Sequence, residues 1–423
     1  MAASRSLPGR VTIREVGPRD GLQSERPLSV EARVRLIDAL SVTGVPKLEA
    51  VSFVSPRAVP AMANAEEVWA GAMKIPGVLY SALVPNRRGA ETAARMGGFG
   101  SLQSFMAVSE GYNRKNVGKS VEESIADVID VAAVGRRSSL PVEVSISAAF
   151  GDPYEGDVSP RRVLALARRL VDEGIAGISL GDTTGMATPS RVWDVVGLFH
   201  QELPETPLNL HFHDTRGASM ANVLAALEMG VTEFDASVGG VGGSPFAPGA
   251  AGNVPTEDLV HMLADMGIET GIDLERLLEA AKLLESLVDH GLPGRVSRAG
   301  PRLGGPGAPS PENRPIEDSA RSRIESRIEI PELLATRRDQ ILEIAARNGV
   351  VDIRVFGSVV RGEAGRSSDI DFLVELEPGR TLIDLGGLLV ELERLLGRPV
   401  DVVTAQGLRR SIRAQVLREA TTL

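Results

Sequence analysis

A TIM-type (β/α)8 barrel followed by a small α+β domain is the α/β architecture this sequence predicts, and three observations predict it. Short β-rich runs alternate with longer amphipathic stretches from Val11 to about His290, which is how a barrel of parallel strands reads in sequence. The polar, unusual segments fall where the strand runs end, the rim on which such barrels carry their chemistry. Beyond Gly294 the composition breaks into a Gly- and Pro-rich tether, and a new amphipathic pattern starts at Ile330. The predicted boundaries are therefore 8–298 for the barrel, 299–329 for the linker and 330–423 for the second domain.

Taken in order, the predicted strands span residues 11–16, 47–53, 79–84, 102–108, 142–148, 177–180, 208–213 and 233–238. Between them lie helical patterns over 30–40, 121–134, 160–173, 189–200 and 218–229, several opened by the Ser, Thr or Pro that a helix start requires. A doubly wound sheet is the alternative, but no G-x-G-x-x-G follows the first strand to support dinucleotide binding. The chain has 423 residues, 43% hydrophobic and 24% charged, a composition ordinary for a soluble globular protein. A net charge of −10 argues against general nucleic-acid binding. No cysteine occurs, which excludes disulfides, thiolate zinc sites and cysteine nucleophiles and fits a cytoplasmic protein. No run is long enough to span a membrane, and the first residues lack an apolar leader segment.

The run Leu208-Asn-Leu-His-Phe-His-Asp-Thr-Arg216 carries the densest signal. In an extended strand residues i and i+2 share a face, so His211 and His213 point the same way and can hold a divalent ion. The first strand runs into a turn bearing Arg19 and Asp20, and the last opens into a glycine-rich segment ending at Asn253. Asp20, His211, His213 and Asn253 form a carboxylate, imidazole and amide set without sulfur, which suits Mg²⁺ or Mn²⁺ with positions left for substrate. Such an ion grips substrate oxygens as a Lewis acid, and Arg19 adds a fixed cation for a developing enolate. This is equipment for breaking a carbon–carbon bond beside a carbonyl. Asp182-Thr-Thr-Gly185 reads as a rim-shaping turn, and Asn116-Val-Gly-Lys-Ser120 is no phosphate loop because Asn113 stands where the first glycine belongs.

Seven motifs in order carry a family resemblance: Val16-Gly-Pro-Arg-Asp-Gly-Leu-Gln23, Ser52-Phe-Val-Ser-Pro56, Ser109-Glu-Gly-Tyr-Asn-Arg-Lys-Asn116, Asp152-Pro-Tyr-Glu-Gly156, Gly181-Asp-Thr-Thr-Gly185, His211-Phe-His-Asp-Thr215 and Gly242-Gly-Ser-Pro-Phe-Ala-Pro-Gly249 with Gly252-Asn253. Over about residues 11–290 the chain resembles 3-hydroxy-3-methylglutaryl-CoA lyase. The resemblance implies divalent-metal-dependent retro-Claisen cleavage of that acyl-CoA substrate to acetyl-CoA and acetoacetate, and a homodimer through the barrel. It places Asp20, His211, His213 and Asn253 on the metal, makes Asp20 a base for the C3 hydroxyl, gives Arg19 the enolate and assigns Glu49 a supporting place beside Arg19 or the substrate. Ser244 stands where the family usually has the cysteine that protonates the acetyl-CoA carbanion. A hydroxyl has a far higher pKa than a thiol and needs a relay or water to do the same work.

In the second domain an amphipathic helix from Ile330 precedes a strand, residues 352–356, then Gly357-Ser-Val-Val-Arg-Gly362 and Ser367-Ser-Asp-Ile-Asp-Phe-Leu-Val374. Asp369 and Asp371 share a strand face, Asp401 lies in another predicted strand, and Gly357 and Ser358 offer backbone N–H groups and a hydroxyl to phosphates. Three carboxylates beside a phosphate turn suit two-metal phosphoryl or nucleotidyl transfer. The pattern resembles the minimal nucleotidyltransferases, the antitoxin-type members of the DNA polymerase β superfamily. That resemblance implies Mg²⁺ and ATP as cofactors, Asp369, Asp371 and Asp401 as metal ligands, and AMP transfer to a partner such as a HEPN-type toxin. The alternative is that the barrel is a degenerate scaffold, given Ser244, and nucleotidyl transfer is the working activity.

Overall fold

The computed structural model describes residues 7–243, 252–302, 330–357, 359–360, 370–377, 380, 382–396, 400–405 and 410–422. Ser244, Ser358 and Asp369 and most of the tether, residues 303–329, lie outside them. The chain divides into two units, Met1–Ser310 and Pro311–Leu423.

In the first unit eight parallel strands close into a barrel in sequence order: β1 (Thr12–Glu15), β2 (Lys47–Ser52), β3 (Leu79–Leu83), β4 (Ser101–Ala107), β5 (Val142–Ser147), β6 (Gly177–Asp182), β7 (Leu208–Phe212) and β8 (Glu233–Ala236). β8 returns beside β1 with Ile13 opposite Phe234 and Arg14 opposite Asp235. Each predicted strand is present, displaced by at most two residues at an end. Helix starts follow the expected chemistry. Ser29 Oγ accepts from Ala32 N–H at 3.2 Å, Ser120 and Glu123 form a reciprocal capping box, and Pro160 and Pro189 occupy first-turn positions where no N–H is needed. The core is apolar and closed, with Leu36, Ile37, Leu40, Leu48 and Val51 fully buried between helix Val30–Ser41 and the sheet.

Two local irregularities serve the rim. After β1 the chain makes a single π turn, Gly17–Gly21, in which the N–H groups of Asp20 and Gly21 both reach Val16 O, at 2.7 and 3.2 Å. In β2 the register shifts between Glu49 and Val51, a bulge of the kind that re-aims a side chain next to a site.

The second unit is a four-stranded sheet in the order β11 (Val400–Thr404), β10 (Ile370–Leu376), β9 (Val350–Phe356), β12 (Thr421–Thr422). β10 runs parallel to β11 and antiparallel to β9. Helices Ile330–Arg347 and Leu382–Leu396 supply its core, where Ile341, Leu388 and Leu392 meet Ile370 and Phe372.

Candidate active site

The C-terminal ends of the barrel strands bring Asp20, His211, His213 and Asn253 together. One ligand atom each from Asp20, His211 and His213 lies within 4.8 Å of the other two. His211 Nε2 is 3.1 Å from His213 Nε2 and 3.9 Å from Asp20 Oδ2. Asn253 reaches them from the far end of the unit, paired with His213 through a backbone bridge and donating from Nδ2 to Asp20 Oδ2 at 2.8 Å. All four are buried. Two glycines make that approach feasible: a Cβ on Gly242, which sits at φ 111°, would meet Asn253 Nδ2 at 2.5 Å, and one on Gly252 would meet Gly240 O at 1.6 Å.

The residues fit a divalent ion on two counts. Asn253 Oδ1 is a buried acceptor with no hydrogen-bond partner among the described residues, and two imidazole Nε2 atoms face each other at hydrogen-bond distance. Charge points the same way. Arg14 and Arg19 face Asp20, Glu49, Glu143 and Asp235 in one connected network, an excess of two negative charges when both imidazoles are neutral.

Arg19 is clamped rather than free. Its Nη1 donates to Asp20 Oδ1 at 2.7 Å, and its Nε and Nη2 donate to Glu49 Oε2 at 2.8 and 2.5 Å. Burial works against the Asp20 charge, yet Arg19, the two histidines and the Asn253 amide hold its carboxyl below the ordinary range. Gln23 Nε2 also donates to Asp20 Oδ1, at 3.0 Å. The cluster opens into a cleft of ≈ 470 Å³ lined also by Tyr112, Asn116 and Lys119, a size that suits a small-molecule ligand. Asp182, read as a turn residue, accepts from the N–H groups of Met186 and Ala187 at 2.8 and 2.9 Å, and burial pushes its carboxyl up to about 7.

Sequence reasoning missed two sets of residues. The first is Arg14, Glu143 and Asp235 inside the barrel. The second is a pair of buried carboxylates beneath the glycine-rich segment. Glu15 Oε1 accepts from Gly17 N–H at 2.7 Å and Val238 N–H at 2.9 Å, while its Oε2 accepts from Thr256 Oγ1 at 2.6 Å. Glu257 Oε2 accepts from Gly239 N–H at 3.0 Å. Burial is the main cause that pushes both carboxyls up to about 7.

A carboxyl whose folded pKa is raised contributes stability that is complete below about 4.5 and lost as pH rises through about 7. Glu257→Gln is therefore expected to shrink the loss of barrel stability between pH 4.5 and 8 by about 3 kcal/mol, whatever constant offset the amide introduces. Both tryptophans, Trp69 and Trp193, lie in the barrel, so urea unfolding followed by their fluorescence reads this unit alone. An unchanged pH slope would remove Glu257 as the titrating group.

In the second unit Asp371 and Asp401 are register partners on neighbouring parallel strands. Gly357 closes on the first of them: a Cβ there would meet Asp371 Oδ2 at 2.2 Å and displace that carboxylate, and its φ of 75° favours glycine. Its N–H donates to Glu419 Oε1 at 3.4 Å, a partner that no motif announced.

Barrel and rim define the class, a (β/α)8-barrel enzyme with a buried polar cluster at the strand C-termini. The HMGL-like family model matches residues 10–284, and the nucleotidyltransferase-domain model matches residues 338–422. The hydroxymethylglutaryl-CoA lyase of Bacillus subtilis is 45% identical over 68% of this chain and 96% of its own length. The mitochondrial hydroxymethylglutaryl-CoA lyase of Gallus gallus is 43% identical over 70% of this chain and 100% of its own. A solved HMG-CoA lyase from Acinetobacter baumannii, in complex with coenzyme A and 3-methylmalate, superposes with a TM-score of 0.67 at 37% identity, covering 73% of this chain and 100% of that one. The chain belongs to the HMGL-like family, with a nucleotidyltransferase domain attached, and its relatives are carbon–carbon lyases. Among the described residues no helix is long and apolar enough to cross a membrane.

Proposed function

We propose that the barrel, residues 8–298, cleaves 3-hydroxy-3-methylglutaryl-CoA or a close 3-hydroxyacyl-CoA to acetyl-CoA and acetoacetate in a divalent-metal-dependent retro-Claisen reaction. The single observation that carries this reading is the convergence of Asp20, His211, His213 and Asn253 beside a clamped arginine. The names of the relatives support the substrate. Asp20, the two histidine Nε2 atoms and Asn253 Oδ1 would hold Mg²⁺ or Mn²⁺, which supplies Lewis acidity to substrate oxygens.

The chain's own groups then divide the work. Asp20 Oδ2 accepts the C3 hydroxyl proton as the C2–C3 bond breaks and C3 becomes the ketone carbon of acetoacetate. The bonding pair passes to the thioester enolate, whose oxygen the Arg19 guanidinium stabilises. Glu49 holds Arg19 in place. Protonation of the enolate carbon completes acetyl-CoA; Ser244 occupies the sequence position from which that proton is expected, and the proton held by Asp20 replaces it through a relay or water, which restores both groups. Because a hydroxyl is the weaker acid, Ser244→Cys is expected to raise kcat several-fold; an unchanged or lower rate would mean Ser244 does not stand in for the acid. Full-length protein incubated with Mg²⁺ and 3-hydroxy-3-methylglutaryl-CoA should release acetoacetate. None released would overturn the lyase reading and favour the degenerate-scaffold alternative, for which Ser244 is the motivating residue.

For residues 330–423, joined through the tether 299–329, the proposal is Mg²⁺- and ATP-dependent nucleotidyl transfer to a protein partner such as a HEPN-type toxin. The adjacent carboxylates of Asp371 and Asp401 and the turn at Gly357 support it. ATP-dependent labelling of a partner should be lost in the Asp369→Asn plus Asp371→Asn variant; equal labelling would remove these carboxylates from the mechanism.

A further inference from the structure

One strand level inside the barrel joins three neighbouring strands. Asp235 on β8 is the register partner of His211 on β7 and of Arg14 on β1. His211 Nδ1 lies 3.1 Å from Asp235 Oδ2. Arg14 grips the same carboxylate with two nitrogens, Nε to Oδ1 at 2.7 Å and Nη2 to Oδ2 at 3.0 Å. Its remaining nitrogen, Nη1, donates to Glu143 Oε2 at 2.7 Å, which also accepts from Gln103 Nε2 at 3.1 Å. Arg14 and Asp235 are both buried.

A carboxylate that already accepts from Arg14 can only accept from the imidazole as well, so the proton of neutral His211 belongs on Nδ1. Its Nε2 then presents a lone pair toward His213 and Asp20. The bidentate guanidinium fixes the carboxylate plane, and through it the ring. From this geometry we infer that Asp235 and Arg14 are positioning residues for the rim cluster: Asp235 sets the tautomer and orientation of His211, and Arg14 holds Asp235 at the angle that does so. The inference rests on the reading of that cluster as a divalent-metal site. An outer partner that orients a ligating imidazole contributes 10–100-fold in metal affinity in comparable sites.

The test uses full-length protein in the Asp369→Asn plus Asp371→Asn background, so that the second unit's acidic pair adds no binding event. Mn²⁺ is titrated into metal-free protein by calorimetry. Asp235→Asn should weaken binding about 10–100-fold and Arg14→Lys should fall between it and the parent. Glu143→Gln is the discriminating control, because it removes the same unit of charge from the same network without touching His211, and it should change binding only a few-fold. Equal weakening by Asp235→Asn and Glu143→Gln would reduce the effect to distant charge and overturn the inference. A parent that binds no Mn²⁺ would instead sink the metal reading beneath it. The second readout needs no variant: in ¹⁵N spectra of the metal-free parent, which has 5 histidines, recorded at a pH alkaline enough for the ring to be neutral, His211 should be the Nδ1–H tautomer. A neutral ring with its proton on Nε2 alone would overturn the inference even if Asp235→Asn failed to fold.

Discussion

Arg19→Met is expected to lower kcat for thioester cleavage by about 10²–10³-fold while leaving KM within a few-fold, the signature of an interaction made in the transition state. The physical reason lies in how the guanidinium is held. Asp20 and Glu49 fix it on two sides, so it needs no reorganisation when charge develops on the enolate oxygen. Its cation also offsets two buried carboxylates, and methionine removes that offset from both. Glu49 already carries a raised carboxyl pKa, caused first by burial and opposed by Arg19 and Arg14. Without Arg19 its carboxyl should move further up, and the pH profile of the residual activity should shift with it. Arg19→Lys keeps the charge but loses the fork that spans Asp20 and Glu49, so it should recover only part of the rate. A kcat within a few-fold of the parent in the methionine variant would leave the guanidinium as a structural strut.

The barrel was legible because its signal is repeated: eight short β-rich runs alternate with amphipathic stretches, several of which open on a residue with a capping reason, so small errors at one boundary do not propagate. The four residues that converge at the rim were legible for a different reason. His211 and His213 lie two apart on one strand, and Asp20 and Asn253 sit in loops whose turn chemistry is visible without a fold. Arg14, Asp235 and Glu143 were not. A lone charge in a predicted strand reads as the solvent side of an alternation, and only closure of β8 on β1 turns Arg14 toward Asp235. The same applies to Glu15 and Glu257, whose shared task depends on Val238, Gly239 and Thr256 being brought beneath one loop. Register carries this information, and local pattern does not. In the second unit the spacing of Asp369 and Asp371 on one strand and the place of Asp401 in another pointed to this acidic edge, whereas the contact of Gly357 with Glu419 joins positions too far apart in sequence for any motif to link them.

Removing divalent ions from the barrel is expected to lower turnover by about 10³-fold or more, the rate equivalent of the several kcal/mol that a Lewis acid contributes. Adding Mg²⁺ or Mn²⁺ back should restore it. The argument rests on the apposed imidazoles: with the Nδ1 proton of His211 directed at Asp235, its Nε2 lone pair faces the Nε2 of His213 at 3.1 Å, so both nitrogens are placed to meet one cation. Protons compete for the same place. Burial lowers the His211 pKa, but the Asp235 and Asp20 carboxylates outweigh it and raise the ring above its ordinary value in the metal-free protein. Metal uptake should therefore release a proton, and affinity should weaken as pH falls from 8 to 6. His213→Ala should raise the Mn²⁺ concentration needed for half-maximal turnover by more than the 10–100-fold expected for an outer partner, since it deletes one of the proposed ligands outright. Chelated protein that turns over at the full rate would make the four converging groups a buried polar cluster without a catalytic ion, and the excess of negative charge at the rim would then have to be met by protonation of the imidazoles.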